Sequence, residues 1–424
     1  MAVSTFEHVQ EQPENPFSSL PKNQRICLVP EFILENNVVL RDVPVAYKTF
    51  GVLNEERDNV MVICHAFTGS SDVSDWWGAL LGPGKAFDIS RFFIFCGNVL
   101  GSPYGTASPC TQNPETGKIY GADFPTTTIR DDIRLHKKVL DSMGIKSVAI
   151  CIGGSLGGMQ ALEWAMLGRN YVRHLVAIAT SGRHSAWGIS WGEAQRQTIY
   201  NDPKYKGGNY SFSDPPKTGL AAARMQALLT YRSAESFKHR FDRKCTPIKD
   251  APQANGEPAK QFSAQSYLQY QGNKFVSRFD ANCYVKLTEK LDSHDLGAGR
   301  IDYEHALNSI QQPTVIVGKK VPHSGLFNPL GIESDGLFKI DEQRELANYI
   351  PGATLHLIES ADGHDGFLLE FEQLNRILLG FINEHLSHLT PIKRQETEQA
   401  STEPGHDLQK PSMFGESEGG IVEW

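Results

Sequence analysis

A serine hydroxyl becomes a useful nucleophile only when a histidine can take its proton and a carboxylate orients that histidine. Cys151-Ile152-Gly153-Gly154-Ser155-Leu156-Gly157-Gly158 offers such a serine. Gly153 and Gly157, two residues to either side, leave room for a sharp, strained turn with Ser155 at its tip. Before the turn, Ser147-Val148-Ala149-Ile150 reads as a short buried strand; after it, Met159 to Met166 reads as a helix. That context marks a nucleophile elbow, with Ser155 the expected nucleophile. A glycine-rich turn with an incidental serine is the alternative. The Leu156 amide would sit at a helix N-terminus, where it can stabilise an oxyanion.

The partners should follow on loops after later strands, acid before base. His294-Asp295 follows no core strand, and His406-Asp407 lies in a polar tail. His364-Asp365 follows the apolar run 353–358 after a short loop, so His364 is the expected base; a loop histidine capping the last helix is the alternative. The acid should lie after Thr314-Val315-Ile316-Val317-Gly318. Asp335, in Glu333-Ser334-Asp335-Gly336-Leu337-Phe338, is the best candidate, with Glu333 and Asp341 as competitors. Asp341 suits the first turn of the next helix, where a carboxylate is favourable. The second oxyanion amide is expected in His65-Ala66-Phe67-Thr68-Gly69, from Phe67 by position, with His65 structural.

Those loops need a sheet to hang from. Asn59 to Cys64 and Arg91 to Cys96 read as buried strands of parallel type, and His174 to Thr180, 314–318 and 353–358 as further strands of the sheet. Val38 to Gly51 alternates with period two, an opening hairpin. Thr128 to Met143 is an amphipathic helix, with Ile129, Ile133, Val139, Leu140 and Met143 inward and Gly144 at its end. Strand, helix and strand in this order predict an α/β class fold with a mostly parallel, doubly wound sheet. The expected organisation is a flexible N-terminal arm (1–22), a core (23–180 and 312–386), a helical lid insertion (181–311) and a polar, disordered tail (387–424). Within the lid, Lys244 to Gln261 reads as an exposed loop without regular structure. A final helix is expected from about Phe367 to Leu386.

Composition narrows the class. The 424 residues are 40% hydrophobic and 21% charged, ordinary for a globular enzyme, and a net charge of −8 argues against nucleic acid or anionic membrane as main partner. Seven cysteines, scattered without metal-like spacing, read as reduced core residues. Met1 to Asn15 lacks a basic or apolar targeting segment and no run reaches membrane-spanning length, so a cytoplasmic enzyme is expected. No phosphate loop, nucleotide fingerprint or metal cluster is visible.

Further motifs carry a resemblance. Cys64-His65-Ala66-Phe67-Thr68-Gly69, Asp75-Trp76-Trp77-Gly78, Leu100-Gly101-Ser102-Pro103-Tyr104-Gly105, Thr128-Ile129-Arg130-Asp131-Asp132, the Ser155 elbow and Gly363-His364-Asp365 stand in one order. The lid adds Ser185-Ala186-Trp187, Ser190 to Gln197, Leu229-Thr230-Tyr231-Arg232 and Arg278-Phe279-Asp280-Ala281-Asn282-Cys283-Tyr284. This set resembles the homoserine O-acetyltransferases of the α/β-hydrolase superfamily, and Met413-Phe414-Gly415-Glu416 with the terminal Trp424 resembles the fungal branch. The resemblance implies ping-pong transfer of acetyl from acetyl-CoA, through acetyl-Ser155, to the hydroxyl of L-homoserine, for methionine biosynthesis. It also implies that Arg232 and Asp365 hold the amino acid, that acetyl-CoA is a co-substrate with no permanently bound cofactor or metal, and that the protein is a homodimer. For Arg232 the alternative is a salt bridge within the lid; for Asp365, a cap on the final helix. Other readings are acyl transfer to deacetylcephalosporin C or serine, a succinyl-CoA donor, or a plain esterase.

Two departures from that family stand out. Leu156 replaces the usual methionine, which leaves the amide unchanged. Lys319 to Gly331 intervenes where relatives run from strand to Ile-Glu-Ser-Asp-Gly-Leu-Phe. It is expected to be a looped-out insertion, or an unspliced stretch, that still lets Asp335 reach His364.

Overall fold

The computed structural model describes residues 6–247, 259–320 and 334–392. In chain order the strands are β1 (Glu7–Val9), β2 (Arg25–Ile33), β3 (Val39–Phe50), β4 (Val60–Cys64), β5 (Phe93–Gly97), β6 (Val148–Gly154) and β7 (Leu175–Ile178). The hairpin strands β8 (Cys245–Pro247) and β9 (Lys260–Phe262) follow, then β10 (Thr314–Lys320) and β11 (Thr354–Glu359). All but β8 and β9 form a nine-stranded sheet among the described residues, in the order β1-β2-β3-β5-β4-β6-β7-β10-β11. The joins from β1 to β2, β3 and β5 are antiparallel; every join from β5 onward is parallel. The doubly wound, mostly parallel sheet expected from the run of apolar segments is therefore present.

β4, β6 and β7 are buried along their whole length because both sheet faces are covered. Alternation divides their side chains: Cys151 joins one apolar cluster, whereas Ile150 and Ile152 join the other. The short helix α1 (Val73–Trp76) follows β4. α2 (Ile129–Ser142) covers the first face, opened by a reciprocal cap in which Thr128 and Asp131 bond each other's backbone N–H. α3 (Leu156–Ala165) follows the elbow on that same face, and its Leu162 and Trp164 pack there with Ile133 and Leu140 of α2.

The lid contains α4 (Ala186–Tyr200), α5 (Lys217–Tyr231), α6 (Ala234–Arg240), α7 (Ser263–Val276) and α8 (Ala281–Asp292). A third apolar cluster fastens it to the core, joining Phe67, Leu156 and Met159 to Phe275, Phe279 and Tyr284. The core resumes with α9 (Tyr303–Asn308), α10 (Ile340–Tyr349), α11 (Gly366–Leu369) and α12 (Phe371–His385).

Several expectations need correction. Residues 6–22 do not form a flexible arm: β1 adds an edge strand to β2, and Gln12 and Asn15 donate to the carbonyls of Gly105 and Pro103, each at 2.9 Å. The lid ends earlier than residue 311, because Leu296, Tyr303, Leu307 and Ile310 bury themselves in the core cluster with α2 and α3. Lys244 to Gln261 is not wholly irregular, since β8 and β9 pair at its ends. The last helix breaks at Glu370, whose φ and ψ of −85° and 54° are not helical. Of the expected tail, 387–392 is tied to the core by hydrogen bonds, with Leu389 O accepting from Arg91 Nε at 2.8 Å and Ile392 N donating to Ser90 O; the remainder lies outside the described residues.

Candidate active site

The strand order sets where a site can form. From β4 the chain steps outward to β5, then crosses back to β6 on the other side of β4. Segments leaving the C-terminal ends of β4 and β6 therefore diverge side by side, with Cys64 paired to Gly153. Such a reversal opens a crevice at the edge of a parallel sheet. The 65–69 loop leaves from β4 and Ser155 from β6.

Ser155 has φ 58° and ψ −126°, a strained backbone conformation for a residue with a side chain. Its N–H donates to Ile178 O at 2.9 Å, and its carbonyl accepts from Thr180 Oγ1 at 2.7 Å. A Cβ on Gly153 would run into Gly157 O, and one on Gly157 into Cys64 O, so both positions of the motif demand glycine. Leu156 opens α3, which places its N–H at the helix N-terminus beside the serine.

On the facing side, His364 Nδ1 meets Asp335 Oδ2 at 2.9 Å. The other Asp335 oxygen accepts from Leu337 N at 3.0 Å and Phe338 N at 2.9 Å, which fixes the carboxylate plane. Burial pushes this carboxyl upward, but His364 and Lys319 outweigh it and hold Asp335 below the usual carboxylate range. The His364 ring lies between Phe338 and Phe367, with centroids at 5.2 and 5.3 Å. Its Nε2 is buried and makes no hydrogen bond, to Ser155 Oγ or to any other described group. Ser155, His364 and Asp365 line one cleft enclosing about 910 Å³, mouth included, with Phe67, Trp191 and Tyr231 on its walls.

The extra segment does not keep Asp335 away. Lys319 and Lys320 extend β10 beside Ile358 and Glu359, 321–333 lies outside the described residues, and Asp335 reaches His364. The competitors stand elsewhere: Asp341 is in the first turn of α10, paired with Arg344 at 2.9 Å, and Glu333 is outside the described residues. His294 is buried away from the cleft lining, and His406 is not among the described residues.

His65 is structural. Val99 N–H donates to its Nε2 at 3.2 Å, so Nδ1 carries the proton and donates to Ala66 O at 2.8 Å. Burial holds the ring neutral, its pKa lowered to about 4. The Phe67 loop is thereby pinned to the crevice wall.

Arg232, at the C-terminus of α5, approaches the His364 turn from the lid. Its Nε lies 2.9 Å from Asp365 Oδ2 and its Nη1 2.9 Å from Asp362 Oδ1. Ser236 Oγ also donates to Asp362, at 2.6 Å. The salt bridge thus runs from lid to core, not within the lid, and Asp365 makes no side-chain cap on α11. Asp365 faces the cleft, with Arg232 directly behind it.

The alpha/beta hydrolase fold family matches residues 59–371. Homoserine O-acetyltransferase of Emericella nidulans is 48% identical, across 98% of this chain and 97% of its own length. That of Saccharomyces cerevisiae is 44% identical, across 97% and 96%. The chain belongs to the homoserine O-acetyltransferase family. Among solved structures, the homoserine O-acetyltransferase from Staphylococcus aureus shares 28% identity at a TM-score of 0.65, covering 88% of this chain and 98% of that one. Esterase E22 shares 25% at a TM-score of 0.74, covering 85% and 99%.

Within this family member, sequence reasoning missed two residues of the site. Asp362, which grips Arg232, is separated from it by 130 residues, and no local pattern joins them. Lys319 is buried beside the base, its Nζ on the carbonyls of Gly363 and His364. Burial lowers its ammonium to about 8, against the pull of Asp335 and Asp365. Its place among the residues of the extra segment gave no sign of that.

Proposed function

We infer that this chain transfers the acetyl group of acetyl-CoA to the side-chain hydroxyl of L-homoserine, giving O-acetyl-L-homoserine for methionine biosynthesis. Ser155 Oγ attacks the thioester carbonyl while its proton passes to His364 Nε2, and Asp335 holds the imidazolium from Nδ1. The oxyanion is received by the N–H groups of Phe67 and Leu156. Collapse breaks the C–S bond, and CoA leaves with the proton from His364. Homoserine then gives its hydroxyl proton to His364 and attacks the acetyl-serine; the second collapse breaks the C–Oγ bond and returns the proton to Ser155.

The observation that carries this reading over an esterase is the charged group at the cleft wall, Asp365, with Arg232 paired to it from behind at 2.9 Å. Water needs no charged seat. An amino acid does, and a guanidinium suits its carboxylate as a carboxylate suits its ammonium. Acetyl-CoA is a passing co-substrate under the lid, with no resident cofactor or metal. We place the enzyme in the cytoplasm, a reading supported by seven free cysteines, six of them buried, and the homodimer is what the resemblance to the family implies.

Mass spectrometry after incubation with acetyl-CoA alone tests the intermediate: one acetyl group is expected on Ser155, and homoserine should discharge it. CoA release that ignores homoserine would make the protein an esterase. An unacetylated Ser155 beside continuing transfer would remove the ping-pong route.

A further inference from the structure

The Phe67 loop is a chain of peptide planes, and its outermost anchor comes from the lid. Arg278, just past α7, is 5% exposed. Its Nη1 donates to Thr68 O at 3.1 Å and to the buried hydroxyl of Tyr104 at 2.7 Å, and its guanidinium lies 4.9 Å from the Phe275 ring centroid. A trans peptide is planar, so its C=O and N–H point in opposite directions. Thr68 O belongs to the same plane as Gly69 N, and Gly69 N–H donates to Ala66 O at 3.0 Å. Ala66 O in turn shares its plane with Phe67 N. Holding Thr68 O toward Arg278 therefore turns Gly69 N–H onto Ala66 O, and holding Ala66 O turns Phe67 N–H the other way. The core supplies the remaining ties, from His65 Nδ1 to Ala66 O itself at 2.8 Å, from Gln160 Nε2 to His65 O at 3.0 Å and from Trp76 Nε1 to Ser70 O at 3.1 Å.

We propose that Arg278 is a positioning residue for acetyl transfer: by anchoring Thr68 O it sets the Thr68–Gly69 peptide plane and, through Gly69 N–H on Ala66 O, joins His65 in setting the Ala66–Phe67 plane, so that the Phe67 N–H is aimed at the oxygen that becomes negative in both tetrahedral steps. A charged donor also polarises the hydrogen bonds beyond it in the chain, strengthening the last N–H. The lid thus takes part in the chemistry on Ser155 without touching substrate. The proposal rests on the acyl-enzyme reading above, though not on the identity of the acceptor.

The test is the rate of Ser155 acetylation by acetyl-CoA in single-turnover mode, with steady-state kinetics for homoserine alongside. Arg278→Met, which keeps an unbranched apolar chain but removes the guanidinium from Thr68 O and from the Phe275 ring, should slow acetylation and kcat by about 10²-fold, in line with loss of one oxyanion donor, and leave both KM values within about threefold. Arg278→Lys should recover about tenfold of that loss, since an ammonium can still reach Thr68 O. Tyr104→Phe leaves the Thr68 bond in place and should stay within about threefold of the parent. Arg278→Met acetylating at the parental rate would overturn the proposal, as would a loss confined to KM. If Arg278→Met does not fold, Arg278→Lys and Tyr104→Phe decide: equal losses in the two would mean packing, not aim. Should the parent pass acetyl to water, the homoserine reading falls while the acetylation rates still judge Arg278.

Discussion

His364 receives one carboxylate oxygen of Asp335 on Nδ1, while the other oxygen holds Leu337 N and Phe338 N. Asp335→Asn can keep the second set of bonds but removes the charge that favours imidazolium, and its amide can present N–H to Nδ1 and impose the wrong tautomer. The expected result is a fall in kcat of about 10³- to 10⁴-fold with a melting temperature close to the parent's, measured by steady-state assay and thermal unfolding. A fall below tenfold would mean that another acid serves His364. Ser155 and His364 were legible because their signals are local: a Gly-x-Ser-x-Gly between strand and helix, and a histidine after the last strand. Asp335 was legible by its loop. Asp362, Lys319 and the role of Arg278 were not, because each depends on a partner brought near only by the fold.

Among the elements, β4 and β6, which carry the Phe67 loop and Ser155, announced themselves through apolar runs, since both of their faces are buried, whereas β11 before His364 is an edge strand with only Ile358 buried. The misreadings occurred where packing and polarity part company. β1 is three residues on a sheet edge, too short for a period, and α9 looks polar although Tyr303, Ala306 and Leu307 are buried. The 319–331 segment tests how much of the β10 loop the chemistry needs. Joining Gly318 directly to Ile332 leaves Asp335 within four residues of the strand, a reach of roughly 14 Å. A chain lacking Lys319 to Gly331 should therefore keep kcat/KM for acetyl transfer within about tenfold, the deficit reflecting loss of Lys319 from the His364 turn. A drop of 10³-fold would show that the segment itself carries Asp335 into place.

At the scale of the whole molecule, lid and core meet through a buried ion pair. Lys290 of α8 lies 2.6 Å from Asp132 of α2, both side chains wholly buried, and Lys290 also donates to Leu100 O at 2.7 Å. Burial pushes the Asp132 carboxyl up to about 6 even with Lys290 beside it, and lowers the Lys290 ammonium. Lys290→Met strands that carboxylate, at a cost of about 3–5 kcal/mol at neutral pH. The sign with pH follows: a carboxyl whose folded pKa exceeds its unfolded value gives stability that is full below the unfolded pKa and lost as pH rises through the folded one. The variant's deficit in urea midpoint against the parent should therefore shrink from pH 8 to pH 5; an equal deficit at both would mean that Asp132 is not the stranded group. Arg278 on Thr68, Arg232 on the His364 turn and Lys290 on Asp132 fasten the insertion at three separate places. An insertion fastened in this way has no cooperative melting of its own. Calorimetry should give one endotherm whose van't Hoff and calorimetric enthalpies agree, and the slowest amide protons of α8 should exchange on the same timescale as those of β4 and β6. Substrates then reach Ser155 through a standing mouth, so solvent viscosity will slow their arrival by diffusion alone, with no added dependence from a swinging cover.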